Sequence, residues 1–450
     1  MSLSRGELLK RGAAALAAGN IYSLVDALAA APARATVTAA RGPEQYLLPG
    51  QKVVLELGIE VIVPPLHHRV ITAKVKSVSQ KRLEKALAAL ERQYANSPAG
   101  LGVTVAWGLP YFKRLVPKLA DGRRYPTYLP KSAKGAAVTD ATRFASDPST
   151  VVLGGDDVAV LLRSDDASHL DHAQHALFTD LHDLFSVTTV RSGFVGNAKE
   201  MALGAGIAGA DLIVDGVQMF LGFTSTQKAA MAPDRIASFE TLAGYTDQKP
   251  KSFWAGGTAM HLSHLDEDLE RWWAQVPFTD QLRSMTRPGL VVPDKTYTIA
   301  EDVSRVETPA DVHGDLSRFG GVGHSATLQT VTRLQRDTRD AYGVIRPRGT
   351  AIVSRADFNT LDNPFTVPVA SSTPSAGVHF IAFAPSSDIF NRARRAMDGS
   401  LGDGSSLQID PRATAQGFNN FIHATHRQNF VVPPRSRRSF PLWDLTTKRA

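Results

Sequence analysis

Val70-Ile71-Thr72-Ala73-Lys74-Val75-Lys76-Ser77-Val78 alternates apolar and polar side chains, which predicts a strand half-buried against a core. It leads into Gln80–Tyr94, where Leu83, Leu87 and Leu90 fall on one face and Lys81, Arg82, Glu84 and Arg92 lie elsewhere. That is the pattern of an amphipathic helix. Outward from this pair, Leu101–Trp107 (LGVTVAW) and Val158–Arg163 (VAVLLR) read as strands, and Ala167–Phe185 as a long amphipathic helix. Strand, helix, strand, strand, helix is the order of a ferredoxin-like half, with helices covering one face of an antiparallel sheet.

A second round follows the glycine-rich stretch Gly193–Gly216. Ala255–Leu262 reads as a strand, His264–Trp273 as a helix, Ala351–Arg355 as a strand, Gly377–Phe383 (GVHFIAF) as a buried strand and Ile389–Met397 as a helix. The expected fold class is therefore α+β: two fused ferredoxin-like halves, antiparallel sheets with helices packed outside, of the dimeric α+β barrel type. Residues 36–215 form the first half and 216–450 the second. Asp398–Ser406 (DGSLGDGSS) reads as a flexible insertion because of its DG pairs.

Composition narrows the function classes. The chain has 450 residues, of which 43% are hydrophobic and 21% charged, so it is globular and long enough for more than one core. It has no cysteine, which excludes disulfides, thiolate metal sites and cysteine nucleophiles. The net charge of +7 comes from scattered basic residues with no aromatic-interleaved patch, so nucleic acid is not an expected partner.

Met1–Ala35 has a basic start (Arg5, Lys10, Arg11), an Ala- and Leu-rich run from Ala13 to Ala31, and the small-residue end Ala33-Arg34-Ala35. This is the layout of an export signal. Asn20 and Asp26 interrupt the run, so it is too polar to be a stable membrane span. Ser4-Arg5-Gly6-Glu7-Leu8-Leu9-Lys10 resembles the twin-arginine motif with Gly6 in place of the second arginine. The expectation is a secreted or cell-envelope protein exported by that route, with a mature chain starting near Thr36 and a leader that makes few contacts with the body.

Several short motifs admit plain structural readings. Gly204–Gly209 matches GxGxxG, but the preceding Asn197–Leu203 is not strand-like and the dinucleotide fingerprint requires a strand there. Gly323-His324-Ser325 lacks the closing glycine of a nucleophile elbow, Thr327 standing in its place. His169, His172, His175 and His182 fall away from the stripe of Leu170, Leu177, Leu181 and Leu184, as on a solvated helix face. His67-His68 read as structural residues of a turn.

The order of segments resembles a known family. Gly100–Gly108 followed by Tyr111-Phe112, Leu153-Gly154-Gly155-Asp156-Asp157-Val158 running into Arg163-Ser164-Asp165-Asp166, Arg191-Ser192-Gly193-Phe194, and Gly256-Gly257-Thr258 with Asp268 and Trp272 are together similar to dye-decolourising (DyP-type) haem peroxidases. The resemblance runs from Val70 to Pro441. It implies haem as cofactor, held in the second half (216–450), hydrogen peroxide with a small-molecule reductant as partners, and a homo-oligomer as one state the chain could take. His324, after the turn Gly320–Gly323, would be the haem-iron ligand, with His313 as the alternative and Gly323 giving the backbone room to approach the cofactor. Arg355 would face peroxide on the other side, with Asn359 in the loop beyond. The family's proton-transferring aspartate has two candidate places here: Ser225 by spacing, Asp247 by chemistry. The implied function is a haem-dependent peroxidase-like oxidoreductase, and the alternative is a non-catalytic haem-binding or cofactor-free relative on the same fold.

Overall fold

The computed structural model describes residues 4–17, 21–29, 41–116, 129–133, 135–222, 226–291, 306–362, 374–413 and 415–447. In the first half, strands β1 (His67–Val75), β2 (Gly102–Gly108), β3 (Val158–Ser164) and β4 (Phe185–Phe194) pair antiparallel in the order β4-β1-β3-β2. In the second, β5 (Thr258–Glu267), β6 (Ser354–Arg355), β7 (Phe358–Thr360), β8 (Gly377–Ala384) and β9 (Ile422–Val432) pair in the order β7-β8-β5-β9, with β6 also on β8. With β6 and β7 counted together as the second strand of their half, both orders place the first and third strands at the centre, the ferredoxin-like arrangement. The fold is the expected α+β type.

The two sheets close on one another. β2 meets β9 through Trp107↔Val431 and Gly108↔Phe430, and β4 meets β7 through Phe194↔Asn359. Closure leaves few exposed edges. Inside the barrel, Val70, Leu161, Met260, Ile381, Phe383 and Phe430 form an apolar core. The cross-strand set His379, His264 and His426 sits buried toward one end.

Helices α1 (Arg5–Ala17) and α2 (Ser23–Leu28) precede the barrel, α3 (Gln80–Gln93) and α4 (Ala167–Gln174) cover the first half, α5 (Ala198–Gly204) follows β4, and α6 (Pro309–Phe319), α7 (His324–Thr332) and α8 (Ser387–Met397) cover the second half. Leu83, Leu87 and Leu90 of α3 point inward as their spacing predicts. Among the described residues no helix is long and apolar enough to cross a membrane.

Several expectations are corrected. β1 is buried on both faces rather than one, because the barrel core lies inside and helices outside. The helix expected over Ala167–Phe185 stops at Gln174, widens into a π turn at His175–Thr179, and Phe185 already opens β4. β5 runs on to Glu267, so the helix expected from His264 begins at Leu269, where the Asp268 carboxylate accepts a hydrogen bond from Arg271 N–H at 3.1 Å. Asp398–Ser406 is a tied turn: Asp398 accepts from the Ser146 hydroxyl at 2.6 Å, and Ser400 bridges Ser406.

The expectation that the N-terminal segment makes few contacts also fails. Leu8, Ile21, Leu24 and Val25 are buried in a core shared with Ala198, Met201 and Phe194. α1 and α5 touch so closely that a Cβ on Gly12 would lie 2.0 Å from the Gly204 carbonyl oxygen, which gives the first glycine of the GxGxxG match a packing role. The Tyr22 hydroxyl donates to Asp362 at 3.1 Å and accepts from Leu361 N–H at 2.9 Å, while Asp26 pairs with His67 at 2.6 Å. Residues Ala30–Ala40, with the expected cleavage point, lie outside the described residues.

Candidate functional site

A cavity of about 250 Å³ lies between the outer face of the second-half sheet and the helices over it. Alternation along the strands sets the sheet wall: Ala259, His261 and Ser263 of β5, and Phe380, Ala382 and Ala384 of β8, face it. The neighbours Met260, Leu262, Ile381 and Phe383 point into the barrel instead. Most of these wall residues are small, and the helices cannot close down on them completely. Leu328 of α7 and Ile389, Phe390 and Met397 of α8 form the opposite wall.

His324 is the first residue of α7 and lies on that helical wall. Its ring packs on Phe418 with centroids 4.3 Å apart. Burial, followed by the nearby guanidiniums of Arg394 and Arg355, pushes its pKa down to about 3, so the imidazole is neutral and a competent electron-pair donor to a metal. Gly323 has a different role from the expected one. A Cβ there would meet the Thr286 carbonyl oxygen at 2.0 Å, so the glycine allows two backbone segments to approach and is not among the cavity-lining residues. His313, on α6, sits outside the lining with Nε2 3.1 Å from the Ser405 hydroxyl.

Arg355 lines the cavity from the sheet side, on β6. Two residues on, and on the same face, stands Asp357, which the sequence reading missed. Its Oδ2 lies 3.7 Å from Arg355 Nη1, and its Oδ1 accepts a hydrogen bond from Ile381 N–H at 3.1 Å. Burial pushes its pKa up to about 6 against the opposing pull of Arg355 and of that hydrogen bond. Glu267, also in the lining, is pushed up to about 8 by burial and the charge of Asp266. Asp147 is held by Arg427 in a two-pronged pair, with Nη2 to Oδ1 at 2.6 Å, and Arg394 lies 3.7 Å away.

Of the two places proposed for the family's acid, Asp247 does not line this cavity. Asp247 is exposed and accepts from the backbone N–H of Lys131 at 2.9 Å, away from the lining. It is a loop clamp. Ser225 lies outside the described residues. Asn359 faces the Gln218–Phe220 segment, donating to Gln218 O at 2.7 Å and accepting from Phe220 N–H at 3.2 Å. The structure therefore brings together His324 and Arg355 and adds Asp357. Period-two spacing from Arg355 was the signal that could have found it.

The model of a family of unknown function (DUF7405) matches residues 65–434. No curated protein matches the chain in sequence. Solved structures similar to it include a dye-decolourising peroxidase (DyP) from Bacteroides thetaiotaomicron, with 12% identity over 84% of this chain and 95% of that one and a TM-score of 0.51. DyPB from Rhodococcus jostii RHA1 is 12% identical over 84% and 96% of the two chains, with a TM-score of 0.50. A variant of that DypB in complex with haem is 13% identical over the same shares, also with a TM-score of 0.50. At such identities the likeness concerns the fold alone: the chain has the fold of DyP-type peroxidases.

Proposed function

We propose that this chain, which belongs to the DUF7405 family and has a DyP-type fold, binds haem in the second-half cavity and acts as a peroxidase-like oxidoreductase with hydrogen peroxide and a small-molecule reductant. One observation carries the reading: a neutral, buried imidazole and a guanidinium stand on opposite walls, helical and sheet, of one largely apolar cavity. The residues fit a porphyrin. His324 would offer the nitrogen donor to the iron, Phe380, Ile389 and Phe390 would offer apolar faces, and Arg333 in the lining would offer a cation for a carboxylate. When bound, haem supplies the redox chemistry with peroxide. Arg355 would steady negative charge on the peroxide side, and the apolar walls would keep bulk water out.

The test is haem titration followed by absorption spectroscopy. A saturable Soret band in the wild type, and loss of its histidine-ligated form in His324→Ala but not in His313→Ala, are the expected results. Peroxide-dependent dye oxidation above that of free haem would then establish the activity. If no Soret band forms, the haem reading falls. The non-catalytic relative stays as second reading on one observation: Asp247, the acid kept in the motif, is a loop clamp outside the cavity.

The export reading, to a secreted or cell-envelope location by the twin-arginine route, is part of the proposal. That route carries folded proteins, which suits a chain loaded with cofactor before export. Leu8, Ile21, Leu24 and Val25 pack on the body, so removal of Met1–Ala35 would uncover an apolar face. Intact-mass measurement on protein from the native host decides between a chain starting near Thr36 and one that keeps its N-terminal helices.

A further inference from the structure

Resting on the haem-binding reading above, we propose that Asp357 is the group that takes up the proton when a weak acid H–X, hydrogen peroxide included, docks as its anion beside Arg355 in the cavity. The H–X bond breaks heterolytically. The proton passes to the Asp357 carboxylate, the electron pair stays on X, and Arg355 faces the resulting charge. No oxidant or reductant enters this step.

The placement argues for it. Val353, Arg355 and Asp357 alternate along one edge segment and all face the cavity, so the base and the cation present themselves side by side to the same guest. The Asp357 side chain is only 7% exposed. Its Oδ1 is fixed by the Ile381 N–H, while Oδ2 stands 3.7 Å from Arg355 Nη1, too far for a hydrogen bond. A carboxylate spared a tight ion pair keeps its basicity. Burial raises its pKa to about 6, where it can both accept and return a proton near neutral pH.

Other charged groups around the cavity do not compete in this range. His324, at about 3, and His261, held well below its usual value by burial, are neutral throughout. Asp147 is tied to Arg427 in a two-pronged pair, with Arg394 3.7 Å away. Arg333 donates to the carbonyls of Ala229 and Gly349. Glu267 is protonated below about 8. Asp266, also near 6, is on β5 but is not a lining residue, and the charge it feels is that of Arg191.

The experiment is cyanide binding to the full, haem-loaded chain, followed by stopped-flow Soret changes from pH 4 to 8. In the wild type the association rate should rise with pH through about 6. In Asp357→Asn it should fall by roughly 10²- to 10⁴-fold, the usual loss for an acid–base group, and lose that pH dependence. In haem-free protein with ¹³C-labelled aspartate carboxyls, one signal titrating near 6 should vanish in the variant. Asparagine keeps the shape and an oxygen for the Ile381 N–H. Should the variant nonetheless not fold, a wild-type rate flat between pH 5 and 7 overturns the assignment. A Soret band with unchanged cyanide rates in Asp357→Asn removes Asp357 alone; no Soret band at all removes the haem reading and this inference with it.

Discussion

The two halves share one strand order, yet among the described residues the cavity lies over the second. On the outer face of the first-half sheet, Ile71, Val103, Val105, Val160 and Leu162 meet Leu83, Leu87, Leu90 and Leu170 in a continuous packed layer. On the corresponding face of the second half stand Ala259, Ser263, Ala382, Ala384 and Ala424. Topology gives both halves a sheet face and a helical cover. Side-chain size on alternate positions decides whether the space between them is filled or left for a guest.

The largest expected effect tests that contrast directly. Leu87→Ala opens a void in the packed layer of the first half and should cost about 2–5 kcal/mol of unfolding free energy. Leu328→Ala trims a residue already bordering the cavity, so it forfeits fewer contacts and should cost distinctly less. Urea midpoints of the two haem-free variants check it. Equal losses would mean that the second-half layer is as tightly packed as the first.

A smaller effect comes from the charge placed in the cavity wall. The pKa of Asp357 rises from 3.8 to about 6 on folding, so between those values the folded state holds more protons than the unfolded one. Stability then falls as pH rises through this window and levels off above it. Asp357→Asn should lack the slope. It should match the wild type near pH 3 and exceed it at pH 7 by up to roughly 3 kcal/mol, two pKa units' worth. Urea unfolding of the haem-free pair at both pH values checks the sign, and a variant less stable at pH 7 would contradict it.

The contrast between the halves also explains what sequence could disclose. β1, α3 and β2 are readable because apolar residues recur with periods near 2 or 3.6 along them, and β3 because Val158–Leu162 is an unbroken apolar run. β9 escaped notice because Ile422–Val432 reads IHATHRQNFVV, with five polar residues in a row from Thr425 to Asn429. Those side chains are buried on specific partners: Gln428 exchanges hydrogen bonds with the Asp156 backbone, Arg427 pairs with Asp147, and Asn429 meets His261. Periodicity cannot register polar residues whose partners lie far away in the chain. His324 and Arg355 were reachable through the resemblance, and the cavity they share came from neither. Asp247 misled because a motif match carries no information on which way its loop faces.

The smallest expected effect concerns the two seams of the barrel. At one, β2 and β9 pair, and Arg438, behind the seam, is gripped by Glu84 and Glu91 of α3, with Nη2 to Glu84 Oε1 at 2.8 Å. At the other, β4 and β7 share the single pairing Phe194↔Asn359. The N-terminal segment reinforces it: Tyr22 binds Asp362 and Leu361 just past β7, and Asp26 binds His67 at the start of β1. Tyr22→Phe keeps the ring that packs against Phe194 but withdraws a donor from a buried carboxylate and an acceptor from a backbone N–H. Asp362 still accepts from Ser192 N–H at 3.0 Å, which limits the damage. A loss of about 1–2 kcal/mol follows from removing hydrogen bonds of which one involves a charged partner. If residues 4–29 were only a leader resting on the surface, the substitution would fall within the roughly 0.5 kcal/mol expected for surface changes. Urea unfolding of the full chain separates the two outcomes, and a chain truncated before Thr36 should then lose more than Tyr22→Phe does, because Leu8, Leu24 and Val25 leave the shared core as well.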